Sequence, residues 1–181
     1  MEKKDPRYQA YIQILKEELI PAMGCTEPIA LAYAAAVARK TLGEMPDKVV
    51  VEASGSIIKN VKSVIVPNTG HLKGINAAAA AGIVAGDPDK KLEVIATVSQ
   101  EQIQQMKQFM EEVPIQVVHM EDGCTFDIIV TVFCGKSYAK VRIANFHTNI
   151  VLIEKNGEVL KSEAVSDDSE EGLTDRTLLD M

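Results

Sequence analysis

Apolar residues near the start of the chain recur at the spacing of a helix. Asp5-Pro6 is a typical helix start, with Asp at the N-cap and Pro in the first turn. The apolar positions that follow share one helical face: Tyr8, Tyr11, Ile12, Leu15 and Leu19. We expect this helix to end before Pro21, because proline disfavours the helical conformation in the residue before it.

Three further helices are predicted in the first two thirds of the chain. The one at residues 28–42, with Gly43 as its C-cap, is apolar on nearly every side, which is typical of a buried helix. An Ala-rich helix is predicted at about residues 72–85. Ser99 and Gln102 have the spacing of a capping box and predict the start of the last one. Its apolar face would consist of Ile103, Met106, Phe109 and Met110.

Short runs rich in Val and Ile predict the strands. Three lie in the first part of the chain, at residues 48–53, 61–66 and 92–98. Four follow later, at residues 115–120, 126–133, 137–143 and 149–154, with hairpin turns at Gly135-Lys136 and Asn156-Gly157. Helices first and strands later predict an α+β fold. We expect Ala-rich buried helices packed on a mixed or antiparallel sheet, strand-rich in the C-terminal part, within one domain over residues 1–161.

The last twenty residues differ in character. Residues 162–172 are acidic and Ser-rich, which is typical of a linker. Residues 173–181 resemble the first turns of a helix that the chain does not complete. We therefore interpret residues 162–181 as an acidic linker and the start of a truncated helix. An ordinary frayed tail is the alternative, and from these residues alone the two interpretations are evenly balanced.

Composition and charge narrow the classes of function. Hydrophobic residues make up 46% of the chain, which is ordinary for a globular protein. The net charge of −7 argues against nucleic-acid binding and against docking to an anionic membrane. Residues 1–7 are charged and carry no signal-peptide pattern, and the apolar run at 28–38 is too short to span a bilayer. The sequence therefore predicts a cytoplasmic protein, in which the three cysteines would be reduced.

Cys25 is the most informative candidate for chemistry. It comes just before the helix that begins at Pro28, where backbone N–H groups and the helix dipole stabilise negative charge. This position predicts a thiolate, the form that binds metal or attacks a substrate. The alternative is a buried Cys that acts as a small hydrophobic residue. The sequence has no C-x-x-C pair, and Cys124 and Cys134 are interpreted as a turn residue and a structural strand residue.

Three polar motifs are weaker candidates. Residues 67–71 join a predicted strand to a helix start, a geometry that can hold a carboxylate, or they form a plain connection. Residues 54–60 could bind a ligand through the serine hydroxyls, the Lys59 cation and the Asn60 amide, or they could form a plain polar loop. His147-Thr148-Asn149 could supply a base, a hydroxyl and an amide, although a lone His is more often structural. The sequence carries no Walker loop, G-x-G-x-x-G, G-x-S-x-G or H-E-x-x-H motif.

These motifs occur together in a known family. The segment 21–30, which includes Gly24-Cys25-Thr26-Glu27-Pro28, is followed by Lys59-Asn60, by 66–70 and by 147–150 in the same order. As a set they resemble the L-cysteine desulfidase family, which is related to the α chain of iron–sulfur L-serine dehydratase. The resemblance covers nearly all of this chain but only the N-terminal portion of a typical member.

The resemblance implies a cofactor. Members of that family bind a 4Fe–4S cluster through three Cys, of which Cys25 matches the first. The other two belong to a helical C-terminal half, and Cys124 and Cys134 do not match them. The resemblance thus implies a cluster in the full-length enzyme that this chain alone is not expected to hold. It also favours the truncated-helix interpretation of the chain's end.

The resemblance further implies a β-elimination. An iron with an open position would act as a Lewis acid on the leaving thiol or hydroxyl. A base would remove the α-proton, sulfide or water would depart, and the product would hydrolyse to pyruvate and ammonia. Cys25 would be the metal ligand, and the catalytic base is not assigned. Contacts to substrate or to the cluster's surroundings would come from Thr26, Glu27, Lys59, Asn60, His147 and Asn149.

Two other functions stay open at this point. The chain could be a non-catalytic module that binds or senses an amino acid, or one subunit of a split enzyme. In each case the expected partner is a small amino acid, with no nucleic acid and no membrane. A second copy of the chain, a C-terminal half or a partner subunit could cover apolar surface. We expect the chain by itself to be inactive as a lyase.

Overall fold

The computed structural model of the chain describes residues 6–19 and 24–165. The helices are α1 (Pro6–Glu18), α2 (Thr26–Leu42), α3 (Gly55–Val61), α4 (Gly74–Ala85) and α5 (Gln100–Glu112), with a 3-10 helix at Pro88–Glu93. The strands are β1 (Lys48–Ser54), β2 (Ile115–Met120), β3 (Asp127–Cys134), β4 (Ser137–Ala144), β5 (Ile150–Lys155) and β6 (Glu158–Ser162). The α+β prediction is confirmed. Residues 22–165 form one compact unit, and α1 belongs to another.

One mixed sheet forms the frame of the compact unit. Its strand order is β2-β1-β3-β4-β5-β6. β1 and β2 are parallel, which requires the long helical crossover between them, and all other neighbours are antiparallel. The hairpin turn at Asn156-Gly157 is confirmed, since both residues have positive φ, as a type I′ turn requires. β6, which follows this turn, was not predicted.

The helix α2 covers the buried face of the sheet. It packs on β3 and β4 on one side and on α4 on the other. Alternate sheet residues such as Val49, Val51, Val130 and Val141 are fully buried on this face. α2 begins two residues before the predicted Pro28 and ends as predicted, with Gly43 in a left-handed conformation and its N–H on the Arg39 carbonyl at 3.0 Å.

The helices α2 and α4 approach each other through small residues. A Cβ built on Gly82 would lie 2.1 Å from the Ala32 carbonyl oxygen, and one on Gly86 would lie 2.7 Å from the Ala36 Cβ. Such separations leave no room for any side chain at these two glycines. The Ala-rich composition therefore sets the distance between the two helices and, through α2, the position of both on the sheet.

Two predicted strands are wrong. In the 61–66 run, Val61 ends α3 and Ile65 makes only an isolated bridge to Lys73. In the 92–98 run, Leu92 and Glu93 end the 3-10 helix and residues 94–98 continue as an irregular segment, although Val94 and Ile95 are buried. Short apolar runs fit any buried position, so they do not distinguish a strand from an irregular segment that faces the core.

The ends of the chain are less fully described. The predicted helix at the N-terminus is confirmed as α1. Ser162 is the last residue of β6, and Glu163 still donates its backbone N–H to Val151. The predicted acidic linker and truncated helix lie almost wholly outside the described residues, so the domain boundary after residue 161 stays a prediction. None of the helices in the described ranges has the length and apolar character that crossing a membrane requires.

Candidate functional site

Four of the predicted site residues come together at the start of α2. Cys25 and Glu27 lie at that helix end, Asn60 lies in the last turn of α3, and His147 lies in the loop between β4 and β5. Glu27 is the common neighbour, since Cys25, Asn60 and His147 each interact with its carboxylate. We call these four residues the Glu27 cluster. The sequence places its members far apart, and the packing of α2 against α3 and β4 unites them.

Cys25 occupies the N-cap position of α2 with an exposed side chain. Its Sγ donates a hydrogen bond to Glu27 Oε2 at 3.1 Å. Partial burial and the nearby Glu27 carboxylate raise the pKa of the Cys25 thiol above its ordinary value, although the Glu27 backbone N–H acts in the opposite direction. Burial and the carboxylate together outweigh the helix N-terminus, so this arrangement does not favour the thiolate that the sequence predicts.

Glu27 is held in its charged form. The hydrogen bond from Cys25 is the largest cause that lowers the pKa of Glu27. Its own backbone N–H, the charge of His147 and the Asn60 side chain act in the same direction, and burial opposes them. Glu27 lies in the first turn of α2, where backbone amides stabilise a carboxylate. The structure adds that Glu27 links three other candidate side chains.

His147 is half-buried beside Glu27. Burial lowers the pKa of the imidazole below its ordinary value, and the charge of Glu27 partly offsets that effect. The imidazole is therefore neutral near pH 7, a state in which one ring nitrogen can accept a proton. Its ring also packs on the ring of Phe126, with centroids 4.4 Å apart and an interplanar angle of 56°.

The segment that carries Lys59 and Asn60 is a helix. The interpretation of residues 54–60 as a polar loop is wrong, because Gly55–Val61 forms α3 and buries Ile57 and Val61. The exposed Asn60 faces Glu27 from the last turn of this helix. Lys59, also exposed, precedes it in the chain, and Thr26 is the first residue of α2. Contacts of Lys59 and Thr26 with a substrate stay a prediction.

Asn149 lies in the same loop as His147, and its hydrogen bonds lie within that loop. Its Nδ2 donates to the Ala144 carbonyl at 3.0 Å, and its backbone N–H donates to the Phe146 carbonyl at 3.0 Å. These bonds close the β4–β5 connection. Asn149 therefore positions His147 through the backbone, and a direct contact with substrate stays a prediction.

The Pro67-Asn68-Thr69-Gly70 turn supports the site rather than forming a carboxylate cradle at a helix start. The buried Thr69 hydroxyl donates to the Val66 carbonyl at 2.7 Å, and Asn68 Nδ2 donates to the Ile95 carbonyl at 3.0 Å. α4 begins only at Gly74. Gly24, next to Cys25, has a φ of 151°, and a Cβ there would lie 3.2 Å from Pro67 Cγ. The turn thus lies close to Gly24, the residue before Cys25.

The described residues do not supply a complete metal site. Within ranges 6–19 and 24–165, no group of three or more His, Cys, Asp or Glu side chains is close enough together to hold a metal ion. Cys124 lies ahead of β3 and Cys134 ends β3, as the turn and strand interpretations predicted. Cys25 offers one exposed thiol at a helix start, which fits a single ligand of a larger set.

Phe126 is a site residue that the sequence did not indicate. Its ring packs on the ring of His147, a member of the Glu27 cluster. A phenylalanine at the start of a strand is typical of a core position, so no local pattern marks it as part of a site.

The chain resembles bacterial proteins of one family along nearly its whole length. It is 57% identical over 179 residues to a UPF0597 protein of Desulfitobacterium hafniense, a match that covers 99% of this chain and 42% of the relative. It is 43% identical over 176 residues to a UPF0597 protein of Treponema denticola, covering 97% of this chain and 41% of the relative. The protein from Lachnoclostridium phytofermentans is 47% identical over 160 residues, covering 88% and 38%.

Other comparisons add no further relationship. No family model matches the chain. No solved structure matches it. The chain spans about two fifths of the length of the curated relatives it matches. It belongs to the UPF0597 family.

Proposed function

We propose that the chain is the N-terminal part of an iron–sulfur-dependent lyase that eliminates sulfide or water from a small amino acid such as L-cysteine or L-serine. The observation that carries this proposal is the convergence of Cys25, Glu27, Asn60 and His147 around one carboxylate. Each of these residues was chosen from the resemblance to the L-cysteine desulfidase family. Residues with unrelated structural roles have no reason to meet at one helix start.

Cys25 would provide one ligand of a 4Fe–4S cluster. The bound cluster would supply a Lewis acid for the departing thiol or hydroxyl. The remaining ligands would come from protein outside this chain. The D. hafniense relative is long enough to contain them, since the match covers only 42% of it. The chain would therefore act as part of a longer protein or with a partner subunit. We propose that it does so in the cytoplasm.

The chain's own residues would bind the amino acid and transfer its α-proton. In the metal-free chain Glu27 accepts the Cys25 hydrogen bond, which fixes the sulfur at the start of α2; a Cys25 thiolate bound to the cluster would no longer donate it. His147 is the side chain here that suits proton transfer, because burial keeps its imidazole neutral near pH 7. Asn60 and Lys59 would offer an amide and a cation for the substrate carboxylate. Loss of the α-proton and of the β-substituent leaves a product that water converts to pyruvate and ammonia.

A chimera tests the proposal. This chain would replace the matching region of the D. hafniense relative, and the chimera would be reconstituted anaerobically with iron and sulfide. We expect it to bind iron and to release pyruvate from L-cysteine or L-serine. Cys25→Ser should abolish both, whereas Cys134→Ser, a change at the end of β3, should leave both intact.

The outcomes separate the competing functions. Unchanged iron content and unchanged pyruvate release after Cys25→Ser would contradict the role of Cys25. Calorimetric binding of L-cysteine or L-serine to a chimera that never binds iron would instead favour a non-catalytic amino-acid module. Activity that appears only when a separate cysteine-containing subunit is added would favour a split enzyme.

A further inference from the structure

A short segment before β3 contacts two of the elements that carry the Glu27 cluster. We call residues 124–127 the connector. Ser54, the N-cap residue of α3, donates its hydroxyl to the Thr125 carbonyl at 2.7 Å. Asn145, in the loop of His147, donates its backbone N–H to the Phe126 carbonyl at 2.9 Å. The connector therefore joins the start of the helix that carries Asn60 to the loop that carries His147.

The connector is anchored by an ion pair between the start of β3 and the C-terminal part of the neighbouring strand β4, both inside the sheet. The Asp127 carboxylate is fully buried. Arg142, on β4, donates to it through Nε at 2.9 Å and through Nη2 at 2.6 Å. The Cys124 backbone N–H donates to the same carboxylate at 3.2 Å. A bidentate guanidinium fixes both distance and direction, so the chain between Cys124 and Asp127 has little freedom.

Phe126 lies at the centre of this anchored segment. Its carbonyl holds the backbone of the His147 loop, and its ring lies against the His147 imidazole with centroids 4.4 Å apart. The loop is closed at its base by Asn149, which fixes its backbone but not the direction of the imidazole. The Phe126 ring is the aromatic neighbour that limits where the imidazole can turn.

We propose that Phe126 is a positioning residue that fixes the orientation of the His147 imidazole within the Glu27 cluster. Its importance for catalysis rests on the proposed lyase function, whereas its effect on the geometry concerns this chain by itself. Without the aromatic ring, the imidazole would gain rotamers that take it away from Glu27. The electrostatic interaction between His147 and Glu27 would then weaken while the fold, anchored by Asp127 and Arg142, remains.

The test measures the coupling between Glu27 and His147 by NMR in the 181-residue chain. The chain has three histidines, so labelled imidazoles give a small set of resonances that can be assigned by substitution. At one pH near neutrality, Glu27→Gln should shift the His147 resonances in the otherwise unchanged chain. In a Phe126→Leu background, the same Glu27→Gln change should no longer shift them. Phe126→Tyr keeps the ring and should restore the effect.

A matched control is the neighbouring phenylalanine. Phe146 directly precedes His147 and is 49% exposed, so Phe146→Leu removes a ring next to the same histidine in the chain. We expect this change to leave the coupling intact. A Glu27→Gln shift of the same size with and without the Phe126 ring would overturn the proposal.

Two further results keep the test decisive. If Phe126→Leu does not fold, the unchanged chain must still show a nuclear Overhauser effect between the Phe126 ring and the His147 imidazole, and its absence would overturn the proposal. Failure of the chimera to bind iron would contradict the lyase but would leave these NMR results unaffected. The two proposals therefore fail separately.

Discussion

Gly82 in α4 lies so close to Ala32 in α2 that a methyl group on it would sit 2.1 Å from the Ala32 carbonyl oxygen. The obstacle is backbone, which cannot move without shifting a helix. We expect Gly82→Ala to lower the free energy of unfolding by roughly 3 kcal/mol, the upper part of the range for overpacked cores. Chemical denaturation followed by circular dichroism would measure the change.

A control on the same helix separates this clash from helix propensity. Asn76 is exposed in α4, and Asn76→Ala introduces alanine without a steric conflict. Because alanine favours the helix more than asparagine does, stability should stay constant or rise by a few tenths, about 0.5 kcal/mol at most. A Gly82→Ala variant as stable as the unchanged chain would show that the helices can move apart.

The buried ion pair between Asp127 and Arg142 gives the next prediction. Asp127→Asn keeps the shape of the side chain but leaves the guanidinium without its counter-charge. Breaking a buried pair by changing one partner costs about 3 to 5 kcal/mol, and the partial exposure of Arg142 places the expected loss near the lower limit, about 3 kcal/mol. The measurement is again the free energy of unfolding.

The surface pair between Lys40 and Asp89 is the matched control. Its N···O distance of 2.9 Å resembles that of the buried pair, but its side chains are 61% and 80% exposed. Exposed pairs contribute little, so Asp89→Asn should cost less than about 1 kcal/mol. Equal losses for the two substitutions would contradict the anchoring role assigned to Asp127.

The elements marked by local signals could be predicted from the sequence. The capping box at Ser99 is present, with the Gln102 N–H on Ser99 Oγ at 3.1 Å and the Gln102 side chain on the Ser99 N–H at 2.9 Å. The runs at 61–66 and 92–98 could not be assigned, because burial of Val66 and Ile95 depends on what packs over them. Propensity yields to tertiary context in such segments.

The candidate site shows the same division. Cys25 and Glu27 lie two residues apart at a helix start, so their proximity is local and could be predicted. His147 and Asn60 reach Glu27 only through the packing of α2, α3 and the β4–β5 loop. The resemblance to a family named these residues without giving their arrangement. The raised pKa of Cys25 could not be predicted from its position at a helix end, because its causes are partial burial and the Glu27 carboxylate.

Asn149 and Lys59 should differ in their effect on stability. The Asn149 amide bonds to the Ala144 carbonyl at 3.0 Å and closes its loop. Asn149→Ala should therefore cost about 1 kcal/mol, the net value of a typical hydrogen bond. Lys59 is exposed on α3, so Lys59→Ala should leave the unfolding free energy within about 0.5 kcal/mol of the original. A large loss from Lys59→Ala would show a structural contact for that residue.

Glu27 should control the reactivity of Cys25 in the metal-free chain. Its carboxylate accepts the thiol hydrogen bond and raises the pKa of Cys25. Glu27→Gln should therefore lower that pKa and increase the thiolate fraction at pH 7.5, which is about one unit below the ordinary pKa of a thiol. Because a thiolate of lower pKa is a weaker nucleophile, the gain in alkylation rate should be limited to about threefold.

Iodoacetamide labelling read by peptide mass spectrometry would follow Cys25 separately from Cys124 and Cys134. Glu101 is the matched control, since it is also a first-turn glutamate, in α5 rather than α2. Glu101→Gln should leave the Cys25 rate unchanged. If Glu27→Gln also leaves it unchanged, the hydrogen bond at 3.1 Å does not govern the thiol, and the helix N-terminus would again be the dominant influence on Cys25.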